Sequence, residues 1–195
     1  MKLTLLLFAI LAGLIIISQS NFTMAKTETQ PYRIIKTEMD YEIRLYAAST
    51  MATISMEART YKELSSPGFR KLASYIFGGN QANEKIAMTS PVHMDINDSL
   101  SSMSFVMPAN YTKDNLPKPN DSSIIITNTP EAYVAAIRFG GYADDDEIKK
   151  YASKLEGALK ANGIEYYGNF RFLGYNAPFQ FWARKNEVIV SVLWN

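Results

Sequence analysis

The stretch Glu84-Lys85-Ile86-Ala87-Met88-Thr89-Ser90-Pro91-Val92-His93-Met94-Asp95 alternates with a period of two. Ile86, Met88, Val92, Met94 and Ile96 fall on one face, with Ser90 as the polar interruption. Lys85, Ala87, Thr89, His93 and Asp95 fall on the other. Successive side chains of a strand point to opposite faces, so the pattern predicts a half-buried strand with His93 on its exposed side. Pro91 has no N–H to give a ladder, which predicts an edge position or a bend there. Tyr175-Asn176-Ala177-Pro178-Phe179 echoes the Met88–Val92 portion, and the two stretches organise the chain.

Upstream, Ser65 or Ser66 is expected to cap a helix with Pro67 in its first turn, where a missing N–H costs nothing. Phe69, Leu72, Ala73 and Ile76 form its apolar stripe, and Gly78-Gly79 stops it. Met51–Ala58 alternates as a strand, and Tyr32–Ile35 and Tyr41–Tyr46 are two short extended runs. Downstream, Met103, Phe105 and Met107 mark a strand ended by Pro108. Asn110–Ser122 reads as a solvated loop, and Ser123–Thr127 extends again.

The pattern then recurs. Tyr133, Ala135, Ile137 and Phe139 make a strand ended by Gly140-Gly141. Asp144-Asp145-Asp146 supplies a helix cap and first-turn negative charge, favourable against the helix dipole. Ile148, Tyr151, Ala152, Leu155 and Leu159 line that helix, and Asn162-Gly163 ends it. Phe170 and Phe172 mark a strand leading into the echo, and Val188, Val190, Val192 and Trp194 close the chain. Strand, helix, strand and a proline bend thus occur twice. Two copies suit an α+β fold: a pseudo-twofold duplicated, distorted antiparallel β-barrel or sheet with two helices packed on it. No G-x-G-x-x-G supports a dinucleotide fold.

The chain has 195 residues, 47% hydrophobic and 20% charged, with a net charge of +1, as suits one globular domain. No basic stripe is present of the kind that neutralises phosphates, which argues against a nucleic-acid partner. Residues 1–25 stand apart. Lys2 precedes an uncharged apolar run from Leu3 to Ile17, and small residues permit cleavage after Ser20 or Ala25. The run is shorter than the roughly 20 residues a spanning helix needs. A cleaved signal, a retained membrane anchor and a buried helix are the three readings. The first two imply an exported protein, periplasmic or extracellular, or one tethered to the membrane by this segment alone. Residues 26–31 read as a tether and 32–195 as the domain.

Catalytic parts are scarce. With no cysteine there is no thiolate nucleophile and no disulfide. His93 is the only histidine, so no His pair can hold zinc, and no G-x-S-x-G elbow accompanies it. Consecutive Asp144–Asp146 do not converge on one ion and read as a charged helix start. Asn97, Asn110 and Asn120 head glycosylation sequons that matter only in a glycosylating host. Phe170, Phe172, Tyr175, Phe179, Phe181 and Trp182 crowd a short region, as core or as an apolar ligand groove.

Tyr41-Glu42-Ile43-Arg44, Gly78-Gly79, Lys85–Val92, Gly174-Tyr175-Asn176-Ala177-Pro178 and Arg184-Lys185-Asn186-Glu187-Val188, in that order, resemble the SOUL/haem-binding-protein family. The resemblance runs from Tyr32 to Trp194. It implies a duplicated α+β distorted barrel, a fold shared with bacterial drug-sensing domains, and binding of haem or another tetrapyrrole in a shallow apolar groove. That groove would lie between the first helix, Pro67–Phe77, and a late loop, Asn176–Arg184. Arg70, Lys71, Ser74 and Tyr75 on the helix and Gln180, Phe181 and Arg184 in the loop are then the residues expected to meet the guest. Leu45 stands where one branch of the family has a histidine proposed as axial ligand. Pro67, Tyr75 and Gln180 stand where another has basic residues thought to meet the propionates. Arg70, Lys71 and Arg184 are nearby substitutes, and Tyr75 or a methionine is left as iron ligand. No catalytic residue and no protein-held metal is implied.

Three functions follow from these readings. The first is a non-enzymatic binder of haem or another flat apolar molecule, with weak and exchangeable affinity. The second is a general binding domain for apolar or cationic small molecules, of the drug-sensing type. The third is a hydrolase using Glu84 or Glu187 to activate water.

Overall fold

The computed structural model describes residues 27–176, 180 and 182–194; the signal or anchor read in residues 1–25 lies outside them. In chain order the elements are β1 (Glu28–Thr29), β2 (Tyr32–Thr37), β3 (Glu42–Tyr46), β4 (Ser49–Met56), α1 (Tyr61–Ile76), β5 (Thr89–Ser90), β6 (Val92–Asp95), β7 (Ser101–Val106), β8 (Ile124–Thr129), β9 (Ala132–Phe139), α2 (Asp145–Ala161), β10 (Tyr166–Gly174) and β11 (Asn186–Val192). Nine strands form one antiparallel sheet in the order β2-β3-β9-β11-β10-β6-β7-β4-β8. It curls into a half-barrel, with both helices packed on the same face.

That order is palindromic about the β10–β6 pair. β11 answers β7, β9 answers β4 and β3 answers β8, so each half is a strand–helix–strand–strand unit. The duplicated α+β architecture read from the sequence is the one present. The two proline bends, however, are not equivalent: Pro91 precedes β6, whereas Pro178 follows β10, its symmetry partner. Pro178 itself lies outside the described residues.

Three local expectations change. The strand expected from Ile86 begins only at Thr89, because Ile86 donates its N–H to the carbonyl of Ile76 at the end of α1 (2.8 Å) and Lys85 bridges to Phe77. Pro91 does bend the chain: β5 leaves the large sheet to pair with β1, while β6 runs between β10 and β7. The edges belong to β2 and β8 instead. Finally, His93 is buried rather than exposed, at 6%. The β1–β5 pairing carries Gln30, from the segment read as a tether, across the sheet, where its Oε1 lies 2.8 Å from His93 Nε2.

Helix α1 starts earlier than the Ser65/Ser66 cap predicts. Thr60 Oγ1 accepts from the Glu63 N–H as the N-cap, and the Glu63 carboxylate reaches back to accept from the N–H of Arg59, the residue before the cap. Pro67 therefore falls inside the helix and leaves the Glu63 carbonyl without its usual donor. Helix α2 begins as predicted, with Asp144 accepting from the Glu147 N–H and three acids in the first turn. The two starts meet where the Tyr61 N–H donates to Asp145 Oδ1 (2.6 Å).

Strand alternation divides the buried residues between the two faces. Beneath the helices lie Ile43, Ile54, Met103, Phe105, Ile137, Phe172, Val188 and Val190, packed on Leu64, Leu72, Leu155 and Leu159. The opposite face has a smaller apolar group, Tyr46, Val134, Ala136, Leu173 and Ile189. Beside it Arg44 of β3 meets Glu187 of β11 through two hydrogen bonds (2.8 and 3.0 Å), with both residues 0% exposed. Strand β9 separates them, and its Ala136 is the small residue over which the side chains reach. Tyr175 and Arg138 also donate to Glu187, Glu42 accepts from Arg44, and the Tyr32 ring lies 4.2 Å from the guanidinium. Burial opposes both charges. The pairing overrides it, holding Arg44 above its ordinary range and Glu187 below the usual carboxylate range.

Removing the Glu187 carboxylate takes two charge-assisted hydrogen bonds from buried Arg44 and leaves it Glu42 alone as counter-charge, so Glu187→Gln is expected to lower unfolding free energy by about 3 kcal/mol in urea titrations. Replacing both partners, in Arg44→Met/Glu187→Leu, should cost clearly less than the single change. A double variant no more stable than the single one would contradict this account of the pair.

A second expectation concerns acid. Burial, then the nearby Arg171, pushes the His93 pKa down to about 3 from an ordinary 6.5. Below about pH 6.5 the unfolded chain takes up a proton that folded His93 refuses, so this residue makes stability fall as pH falls, down to about pH 3. Between pH 7.5 and 5.0 the wild type should lose about 2 kcal/mol more than His93→Gln, measured by chemical denaturation. Equal losses would refute it.

Candidate functional site

Helix α1 turns its polar side toward the segment before β8, and a groove of about 640 Å³ lies between them. Pro67, Arg70, Lys71, Ser74 and Tyr75 form one wall, and Asn120, Asp121 and Ile124 the other. Residues three and four apart share a helix face, which is why Pro67, Arg70, Lys71 and Ser74 line up. Arg70, Lys71 and Ser74 are exposed, whereas Tyr75 is 1% exposed.

Gly79 closes one end of the groove. A Cβ there would come within 2.6 Å of the Ser74 carbonyl oxygen, so the chain can double back only with a glycine. Buried Asn80 then locks the turn: its Nδ2 donates to the carbonyls of Tyr75 and Glu84, and its Oδ1 accepts from the N–H groups of Ala82 and Glu84. Backbone bonds from Asn120 to Gly79 and from Gln81 to Lys118 tie the far wall to this turn. Residues 110–122, read from composition as a solvated loop, thus supply structure to the groove. Nothing periodic in their sequence signals that role.

The two helix cations differ. Lys71 lies 3.5 Å from Asp121 and 3.4 Å from Ser123 Oγ across the groove, which spends part of its charge on the far wall. Arg70 makes no ion pair among the described residues and faces the groove with its charge uncommitted. Tyr75 donates to the Pro117 carbonyl (3.0 Å), and burial pushes its pKa up to about 12. The phenol is therefore a wall of the groove and a poor iron ligand.

The structure brings together four of the seven residues singled out from sequence: Arg70, Lys71, Ser74 and Tyr75. Gln180 and Arg184 do not line this groove. Arg184 donates to the Gln180 carbonyl (2.8 Å) and lies over the Tyr142 ring at 4.9 Å. Its charge is felt by Tyr61, at the opposite end of α1 from the groove. Nine residues, or roughly 13 Å of helix, separate Tyr61 from Arg70. Phe181 lies outside the described residues.

Another cleft, of about 390 Å³, lies beside β1 and the ends of β4 and β7, but its polar groups are already committed. Ser49 bonds Thr129, Thr50 bonds Asn128 and Thr89 donates to the Val106 carbonyl. The two carboxylates considered for water activation are also engaged. Glu187 is sealed in its ion pair, and Glu84 accepts from the Tyr111 hydroxyl.

Comparison with known proteins agrees with this architecture. At 10% identity, the C-terminal domain of EcmrR superposes with a TM-score of 0.59 over 84% of this chain and 99% of that one. A hydrolase from Listeria innocua superposes equally well, at 0.59 and 8% identity, over 82% and 94%. Such distant likeness shows the fold alone. In sequence, heme-binding protein 1 of Xenopus laevis is 29% identical over 156 residues, 76% of this chain and 81% of its own. Heme-binding protein 2 of Homo sapiens is 29% identical over 156 residues, 76% of each chain. Heme-binding protein 1 of Mus musculus is 26% identical over 180 residues, 86% and 94%. The family model described as SOUL heme-binding protein matches residues 27–191, which is nearly all of the described domain, and the chain belongs to that family.

Proposed function

We propose that this chain binds haem or a related flat tetrapyrrole, weakly and exchangeably, in the groove beside α1, and that it is not an enzyme. Haem offers a planar apolar ring carrying two carboxylates. The observation that carries the reading is the groove itself, with apolar Pro67 and Ile124 beside the uncommitted cation Arg70. Pro67, Ile124 and Tyr75 would pack against a ring, and Arg70 would hold a carboxylate through charge-assisted hydrogen bonds. None of the groove-lining side chains is a free soft or imidazole ligand, and His93 belongs to the other face of the sheet. Apolar contact with one charged anchor gives affinity without a fixed iron centre. The sealed state of Glu187 argues against its use on a substrate, and Arg44 already fills the position an external cation would take beside it.

Residues 1–25 support a further part of the proposal: Lys2 and the apolar run to Ile17 would export the domain or hold it at a membrane. No helix among the described residues is long and apolar enough to cross a membrane.

Hemin titrated into the full chain should saturate at one equivalent. Arg70→Glu is expected to weaken binding at least about tenfold, which is about 1.4 kcal/mol. Lys71→Glu should cost less, and Arg184→Glu should stay within about twofold, because its guanidinium is stacked away from the groove. Absence of saturation would overturn the function, and an Arg184→Glu loss equal to that of Arg70→Glu would overturn the site. For localisation, deleting Leu3–Ile17 should move the chain from the membrane or exported fraction into the cytosolic one. An unchanged distribution would remove export and tethering together.

A further inference from the structure

The two edges of the nine-stranded sheet are built differently. At one edge, β2 reads Tyr32-Arg33-Ile34-Ile35-Lys36-Thr37, and its register with β3 is broken between Ile34 and Lys36. Charged residues and irregular register are the devices that keep an edge from pairing with another chain. At the other edge, β8 reads Ile124-Ile125-Ile126-Thr127-Asn128-Thr129 and has neither. Its six residues carry no charge and no proline, and they pair with β4 without a shift. Among the described residues β8 has no second strand partner, and Ile125 is 56% exposed.

We propose that β8 is a strand-addition surface and that its partner is β8 of a second copy of this chain, antiparallel about a twofold axis. An uncharged strand needs no complementary charge opposite it, and it is complementary to itself. A twofold axis normal to the sheet keeps the faces aligned, so residues of equal parity oppose each other. Pairing about Ile126 sets Ile126 of the two copies against each other and Ile125 of each copy against Thr127 of the other, β-branched pairs suited to neighbouring strands, with the uncharged Asn128 opposite Ile124. The same construction on β2 would set Arg33 and Lys36 of two copies near one another, and joining β2 to β8 would generate an open filament rather than a closed pair. Isologous β8 pairing uses up both unguarded edges and leaves the two guarded ones outside. One strand from each copy buries less than the roughly 1,000 Å² of a stable interface, so the pair is a weak one, formed at high local concentration.

The chain lacks cysteine, which makes a trapping experiment clean: glutathione disulfide first forms a mixed disulfide with the single cysteine, a second copy's thiol then displaces glutathione, and any disulfide dimer so formed joins two copies at the chosen position. In the full chain, Ile125→Cys, Ile126→Cys, Thr127→Cys and Asn128→Cys are each oxidised with glutathione disulfide and resolved without reductant, with Ile34→Cys on β2 as the reference. The expected result is that Ile126→Cys, on the axis, where two Cβ atoms approach as in a directly opposed pair, yields disulfide dimer at least about tenfold faster than Ile34→Cys. Adding Ile125→Lys to that variant should return it to the reference rate, with unchanged circular dichroism showing that the domain stays folded. Cross-linking of every β8 position at the reference rate would overturn the proposal, and so would a fast position that ignores Ile125→Lys. Neither outcome bears on hemin binding, which is read separately.

Discussion

A guanidinium sealed from water holds the helix-free face of this protein in place. Arg44 on β3 and Glu187 on β11 sit on strands that are not neighbours, and the two hydrogen bonds between them replace much of the solvation each loses on burial. The constraint is geometric as much as electrostatic. The strand between them must offer a small side chain, which Ala136 does, and Tyr175, Glu42 and Arg138 must fill the remaining donor and acceptor positions. Two strands of the second repeat, β9 and β11, and β3, which precedes the first repeat, are thereby tied together. The chain gives this face a polar lock where the other face has a helix-covered core.

The division of labour between faces decides where a guest can bind. The half-barrel's helix-free side is occupied by the ion pair, bonded from within the chain, and by Gln30 against His93 Nε2. The helix side is different. There α1 ends in a glycine turn held by Asn80, and the segment that returns to β8 stands off from the helix and leaves the groove open. Membership of the SOUL heme-binding protein family places this chain among proteins named for haem. The groove sets apolar Pro67 and Ile124 beside polar Lys71, Ser74, Asn120 and Asp121, with Arg70 making no ion pair among the described residues.

Pseudo-twofold symmetry shapes the fold without making its halves alike. The palindromic strand order follows from two similar strand–helix–strand–strand units meeting at β10 and β6. The departures from symmetry are where the individual features lie. The groove beside α1 is walled by residues 120–124 of a connection that the α2 half does not share, and the Glu187 lock is on the α2 half. Duplication supplied the frame, and the unequal connections made the sites.

The sequence by itself determined the class of fold, because alternation and helical stripes are local properties written in the order of side chains. Spacing of three and four residues also gave the first helix and its apolar stripe of Phe69, Leu72, Ala73 and Ile76, while Arg70, Lys71, Ser74 and Tyr75 came from the family resemblance. Tertiary structure decided the rest. Gln30 lies sixty-three residues from His93 in sequence, and only the β1–β5 pairing brings them together and buries a histidine that alternation alone exposes. Arg44 and Glu187 are 143 residues apart, and each reads locally as an ordinary surface charge on a strand. The late loop of Gln180 and Arg184 parted from the groove because a helix is long and rigid, and Arg184 stacks on Tyr142 near its far end. Periodicity tells which way a side chain points; what waits there depends on strands that meet only when the chain has folded.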